Sequence, residues 1–353
     1  MRSRFGIFDH IENIHGTPTS QLFKDRIELI KMADQAGFHG FHLAEHHGGN
    51  LCMSPSQEVF IAAASQVTEH IHMGPLVKLL PMHAPARVIE DMCVLDNLLE
   101  GRLEYGVGRG AVPVEHHWFE SSYDVSRAKF DEALRIIHRA LQTGEISSDG
   151  CKHYDFPPMP VAIKPYQDRI PFWYPGNPNT AGRHGMGLIW PGKVPPDAYE
   201  LYVAAWSEHN NNSEVRFDGP GDEPRVGYSM LLAIDEDEDK ARDVARRGME
   251  GLVRNTKAGH HYDYLVMPSE EDRYDAQAAL RAIMSSMDEA VAFGAGTPSQ
   301  IAERVAMLLE DGMCEYIAFM FPAGDMSIDE SKRTLDLFAT EVMPQLGSAA
   351  VTG

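Results

Sequence analysis

The stretch Leu79–Gly110, LLPMHAPARVIEDMCVLDNLLEGRLEYGVGRG, contains a whole architectural unit: a strand end, a helix, a second strand and a glycine-rich turn. Val88, Ile89, Met92, Leu95, Leu98 and Leu99 recur at helical spacing, Pro85 suits a first turn, and Gly101 is placed to stop the helix. Leu103, Tyr105 and Val107 then alternate as a strand that runs into Gly108, Arg109 and Gly110. A cation held between small residues at the C-terminal end of a parallel strand stands where a barrel keeps its chemistry.

The same alternation extends in both directions along the chain. Upstream, a strand is expected at Arg4–His10, a helix at Thr19–Ala36 closed by Gly37, a strand at Phe38–Ala44 ending in Glu45-His46-His47, a helix at Gln57–Thr68 and a strand at Ile71–Leu80. Downstream, Ser126–Leu141 reads as a helix, and the proline-rich Gly150–Pro171 as a short hairpin or loop outside the sheet. Strands follow at Phe172–Pro175, Gly187–Trp190 and Arg225–Ile234, with helices after Asn177, over Pro196–Glu208 and over Asp237–Leu252. His209–Pro224 reads as a surface loop, and Thr256–Glu289, charged and weakly periodic, as an excursion or lid.

Two capping boxes mark the end of the chain. Thr297-Pro298-Ser299-Gln300 opens a helix to about Glu310, and Ser327 with Glu330 opens another through Val342, on either side of a strand at Tyr316–Phe321. Eight strands alternating with helices predict an α/β chain folded as one (β/α)8 TIM barrel with insertions, a single domain over residues 1–353.

Composition narrows the function classes. An apolar fraction of 43% supplies a sizeable core, while a formal charge of -21 argues against a nucleic-acid or anionic-membrane partner. Cys52, Cys93, Cys151 and Cys314 form no CxxC pair, so free thiols in a reducing cytoplasm are expected. No targeting segment and no membrane span is read in the sequence.

In a parallel barrel, residues at the C-terminal strand ends converge. Here these are His10, Glu45, His46, His47, the Pro75–Lys78 region, Arg109 and Trp190. Arg127, opening a helix beside Ser126, adds a second guanidinium, and two such forks suit a phosphate. Taken singly, Arg109 reads equally well as a rim ion pair and Arg127 as a solvated helix start. Glu45-His46-His47 does not have metal-site spacing, since neighbours on a strand face opposite ways, and no metal is expected there. A strand-end histidine with a carboxylate nearby can instead hydrogen-bond or deprotonate a reacting group, against a structural reading for His47 and, more weakly, His46. His116-His117 and His260-His261 are placed in loops without a role.

At LAEHH, LLPMHAPARVIEDMCVLDNLLEGRLEYGVGRG, SRAKFDEAL, GTPSQIAERV and EVMPQL, in this order, the chain resembles the bacterial luciferase-like flavin monooxygenases, with the alkanal-oxidising branch most similar. The resemblance implies a TIM barrel that binds reduced FMN, delivered by a separate flavin reductase, and uses O2 through a flavin hydroperoxide to oxidise an organic substrate. It makes His46 the active-site histidine and Arg109 and Arg127 the phosphate-binding arginines. It puts a non-prolyl cis peptide at Leu76-Val77 beneath the flavin ring and Trp190 against it. Gly176, Asn177 and Thr180 fall in a second phosphate loop, and His10, Glu45 and His47 about the substrate. Gly108 stands where the light-emitting subunit has a reactive cysteine, so luminescence is not implied. A homodimer is expected. The rival readings are a deazaflavin-dependent hydride-transfer enzyme on the same barrel, a catalytically silent flavin-binding subunit, and a metal-assisted hydrolase using Glu45 and His46.

Overall fold

The structure, a computed structural model, describes residues 4–208, 214–259 and 287–349. The chain opens with β1 (Arg4–Asp9), α1 (Thr19–Gln35), β2 (Gly40–Leu43), α2 (Gln57–Ser65), β3 (His72–Pro75), β4 (Lys78–Leu79) and α3 (Pro85–Leu98). It continues through β5 (Tyr105–Gly108), α4 (Pro113–Trp118), α5 (Ser126–Thr143), the pair β6 (Glu145–Ile146) and β7 (Met159–Pro160), then β8 (Phe172–Tyr174), α6 (Pro178–Arg183), β9 (Gly187–Pro191) and α7 (Pro196–Glu208). β10 (Val226–Leu231), β11 (Ala233–Ile234), α8 (Glu238–Gly259), a helix at Met287–Gly294, β12 (Ala295–Gly296), a helix at Pro298–Leu309 and β13 (Tyr316–Met320) follow. The last helix runs over Ile328–Leu337, through a π-helical turn at Phe338–Val342, to Met343–Ala349.

The main sheet is parallel, in the order β3-β2-β1-β13-β10-β9-β8-β5-β4. β3 and β4 are two halves of one stave, joined through a cis Leu76-Val77 peptide, with β3 paired to β2 and β4 paired to β5. A parallel bridge between Met73 and Leu103 joins β3 to the approach of β5, so the eight staves close into the TIM barrel that the alternation predicts.

Side chains on the staves alternate between two cores. Phe5, Ile7, Phe41, Leu43, Tyr105, Val107, Phe172, Leu188, Ile317 and Phe319 point outward into the layer shared with the helices. Leu76, Trp173, Ile189, Tyr316 and Ala318 fill the bore, with Phe8 and Val77 against them. Helix ends follow their local chemistry: Pro85 sits in the first turn of α3, Gly101 is left-handed just beyond it, and both capping boxes form.

Two expectations, those for Arg225–Ile234 and for His116-His117, need correcting. Arg225–Ile234 is not one strand: β10 stays in the barrel wall, but β11 leaves it to pair with β12, where the Ile234 N–H reaches the Thr334 hydroxyl at 3.2 Å. The apolar run is continuous, and a distant partner decides where it divides. Gly150–Pro171 contributes only the β7 arm of an antiparallel hairpin whose other arm is β6. His116 and His117 lie on α4 rather than in a loop. The expected excursion Thr256–Glu289 is helical at both ends, in α8 and in Met287–Gly294, while residues 260–286, including His260 and His261, lie outside the described residues. So does 209–213 of the expected surface loop. All four cysteines are free, and no helix among the described residues is long and apolar enough to cross a membrane.

Asp34, near the end of α1, fixes the approach to β3. Its carboxylate accepts the backbone N–H groups of Glu69 at 2.9 Å, His70 at 2.8 Å and Ile71 at 2.7 Å. Burial pushes this carboxyl up, but the three N–H groups outweigh it and hold it below its ordinary value. Asp34→Ala should cost about 3 kcal/mol in urea unfolding at neutral pH, because it strands these donors. Since the folded-state value is depressed, the gap from wild type should be full at neutral pH and shrink as pH falls below about 4. A gap that stays constant to acid pH would show that the charge is not the source.

Candidate active site

After β2 the chain stays extended through Ala44, Glu45, His46 and His47, and the period of two sends Glu45 and His47 to one side and His46 to the other. Glu45 is buried, and its Oε1 accepts from His47 Nε2 at 3.0 Å and His83 Nε2 at 2.6 Å, while Oε2 accepts the Leu79 N–H at 2.9 Å. Burial alone would raise its carboxyl, but the two imidazole hydrogen bonds and nearby Lys78 outweigh it and hold it well below the usual carboxylate range. Glu45 therefore ties the loop after β2 to the start of the β4–α3 connection. His83 was not singled out in the sequence.

On the other side, His46 Nδ1 lies 3.3 Å from Glu115 Oε1, and the same oxygen accepts the His47 backbone N–H at 2.8 Å. The His10 ring stacks on His46 with centroids 5.9 Å apart and planes 19° from parallel. Glu115, on α4, is fully buried. Sequence reading missed it, although Pro113 followed by an acidic residue is a helix-start signal that could have placed it on an ordered element. Neighbouring His116 is buried, Nε2 lies 3.4 Å from the Gly110 carbonyl, and burial pushes its imidazole towards the neutral form, which suits a structural role.

Arg109, just past β5, donates to the Tyr123 hydroxyl at 2.8 Å and to Ser126 Oγ at 3.3 Å, and its guanidinium lies 4.7 Å from the Tyr123 ring centroid. Arg127, in the first turn of α5, donates to Thr180 Oγ1 at 3.1 Å and pairs with Asp131 at 3.5 Å, its side chain half-exposed. Both guanidiniums act on the Tyr174 hydroxyl: burial raises it, and the two cations oppose that. Asn177 caps α6 by accepting the Thr180 N–H at 3.1 Å. Gly176 packs on Tyr174 so closely that a Cβ would stand 2.7 Å from the ring. Arg109, Arg127, Tyr174 and Thr180 thus come together as cations and hydroxyls on one side of the mouth, a donor set suited to a phosphate group.

The middle of the mouth is apolar. Leu76 belongs to the bore cluster and Val77 packs on it, and the Gln57 amide fixes the cis peptide by donating to Leu43 O at 2.7 Å and Val77 O at 3.1 Å. Trp190 stands half-buried near the end of β9, on the strand face opposite Ile189. A cavity of about 510 Å³ lies elsewhere, on the flank between α2 and α3, and reaches the site only through His47, Lys78 and His83.

Residues 3–314 match the family described as Luciferase-like monooxygenase. The chain belongs to that family. Among relatives of this luciferase-like chain, the oxygenase component of the flavin-dependent trigonelline monooxygenase of Acinetobacter baylyi is 29% identical, over 99% of this chain and 97% of its own. The limonene 1,2-monooxygenase of Rhodococcus erythropolis is 29% identical over 64% of this chain and 59% of its own. In fold, the oxygenating constituent of 3,6-diketocamphane monooxygenase from Pseudomonas putida, a complex with FMN, superimposes with a TM-score of 0.75 at 20% identity, covering 97% of this chain and 98% of that one. The coenzyme F420-dependent tetrahydromethanopterin reductase of Methanopyrus kandleri superimposes at 0.68 with 19% identity, covering 98% and 100%.

For this luciferase-like monooxygenase, the Glu45 cluster yields a stability test. Glu45→Ala would leave two imidazoles and a buried N–H without their acceptor and remove the negative charge beside Lys78, which donates to Glu58, and should cost about 3–5 kcal/mol in chemical unfolding. An unfolding midpoint equal to wild type would show that Glu45 is not the anchor of this loop.

Proposed function

We propose that the chain is an FMNH2-dependent monooxygenase that uses O2 to oxidise a small or medium apolar organic molecule, such as an aldehyde or ketone, with the reduced flavin supplied by a separate reductase. The observation that carries this reading is the convergence, at one mouth of the barrel, of the Arg109–Arg127 pair, the apolar Leu76-Val77 step and the His46–Glu115 pair. Arg109 and Arg127, with Thr180 and the Gly176-Asn177 turn, would hold the phosphate. Leu76 and Val77 would face the ring system, with Trp190 on the opposite face of β9 from Ile189. Bound reduced FMN would supply the electrons that activate O2.

The remaining work falls to the chain. Glu115 would orient the His46 imidazole through Nδ1, and that imidazole would exchange a proton with the reacting group. His10, stacked on His46, and His47, fixed by Glu45, would bound the substrate side. The apolar bore residues would exclude water from the reacting centre. As a homodimer, the chain would bury Val59, Val94 and Leu98, which α2 and α3 leave exposed beside the flank cavity.

Anaerobic titration with FMNH2, riboflavin and reduced deazaflavin tests the cofactor. Wild type should prefer FMNH2, and Arg109→Ala should weaken it about tenfold to a hundredfold while leaving reduced riboflavin, which lacks the phosphate, nearly unchanged. Tight binding of the deazaflavin with none of FMNH2 would favour hydride transfer instead. His46→Ala should keep FMNH2 affinity and lose about a hundredfold or more in substrate-coupled O2 uptake. Uptake that never responds to any organic substrate in wild type would point to the silent flavin-binding subunit.

A further inference from the structure

The other mouth of the barrel carries a second set of histidines that the proposed chemistry does not use. His39 immediately precedes β2, His72 opens β3, and Glu104 immediately precedes β5, so three neighbouring staves bring their first residues to one place. His39 Nε2 lies 2.9 Å and His72 Nδ1 3.5 Å from the same oxygen, Glu104 Oε1, and all three ligand atoms fall within 4.8 Å of one another. The two imidazoles lie face to face, with ring centroids 4.5 Å apart. The other Glu104 oxygen is taken by Trp173 Nε1 at 2.5 Å, which fixes the carboxylate plane with Oε1 towards the imidazoles.

We propose that His39, His72 and Glu104 form a binding site for one divalent transition-metal ion of the zinc type at the N-terminal mouth of the barrel, clasping β2, β3 and β5. Three ligands about 2.1 Å from a common centre at tetrahedral angles stand about 3.4 Å apart, and the two measured separations fall on either side of that. Hydrogen bonding alone leaves the cluster unfinished. His72 Nδ1 is buried at a separation too long for a good hydrogen bond.

An independent observation comes from His42, one turn of the pleat further into the bore. It is fully buried, neither ring nitrogen makes a well-formed hydrogen bond among the described residues although the Gly74 backbone lies beside it, and Glu104, His39 and His72 all lie close enough to act on its charge. His39, His72 and Glu104 offer two imidazoles and a carboxylate to one point, a nitrogen-and-oxygen set that suits zinc or cobalt. Arg225, Arg102 and Arg4 are nearby cations that oppose the ion; Arg225 lies over the Trp173 ring at 4.7 Å and donates to the Phe172 carbonyl at 3.0 Å, Arg102 donates to the Ile71 carbonyl at 2.8 Å, and Arg4 pairs with Glu315 at 2.9 Å.

The test uses the full chain, stripped with chelator and titrated with Co2+ by visible absorption and with Zn2+ by calorimetry. One equivalent should bind, with the intense visible bands of low-coordinate cobalt. His72→Ala should weaken binding by about a hundredfold or more, exceeding the effect of losing an outer partner. His72 is the choice least disturbing to the fold, because a third of its side chain is exposed, and His39→Gln serves as the second variant. His83→Ala, which disturbs the rival Glu45 cluster at the opposite mouth, should bind like wild type. Zn2+ should raise the thermal midpoint of wild type and not that of His72→Ala. No binding by wild type at millimolar Co2+, equal binding by His72→Ala and His39→Gln, or loss of the site in His83→Ala would each overturn the proposal.

Discussion

The barrel depends on filling its bore. Trp173 and Tyr316 occupy most of it, and the staves facing them carry glycine where any Cβ would collide: Gly6 and Gly40 against the Tyr316 hydroxyl, Gly187 against the Trp173 ring, Gly106 against Leu76. Side-chain volume is thus concentrated on a few staves and removed from the rest, which lets eight strands close around these side chains. Closure in turn sets where every strand end lies. The indole N–H that comes with Trp173 must find an acceptor inside the bore, and Glu104 supplies it.

From closure the two mouths acquire their chemistry by period alone. Beyond the end of β2, alternation separates Glu45 and His47 from His46, so one short segment serves two environments. Arg109 reaches Tyr123 and Ser126, while Arg127 reaches Thr180 across to α6, so the cationic side of the mouth is built from two connections, β5 to β8 and β8 to β9, rather than from one loop.

Much of this was legible in the sequence, because the signals are local. Thr297 with Gln300 and Ser327 with Glu330 form the capping boxes their spacing announces, and Leu103-Tyr105-Val107 alternates because one side meets the bore and the other the helices. What escaped depends on distant partners. Nothing within Arg225–Ile234 tells where the strand leaves the wall, since Thr334 and Ala295 decide it. Glu115 sits far from His46 in sequence, and Glu104, His39 and His72 share a point only once three staves are neighbours. Resemblance reached further than pattern at Leu76-Val77, where residue types alone do not signal a cis bond and the structure has one.

The same pairing, a buried carboxylate with imidazoles, occurs at three places, and its saturation separates the roles. Glu45 has every oxygen engaged, by His47, His83 and the Leu79 N–H, with Lys78 close by to offset its charge, so it is fixed as an anchor. Glu115 spends one oxygen on His46 and a backbone N–H, and its other oxygen is buried without a partner among the described residues, so the pair retains capacity for a proton or a polar group at the C-terminal mouth. Glu104 is oriented by Trp173 yet faces two imidazoles at unequal distance, with the fully buried His42 imidazole close by. Burial raises the cost of leaving any such group unmet, so the degree to which its partners are satisfied distinguishes scaffold from site.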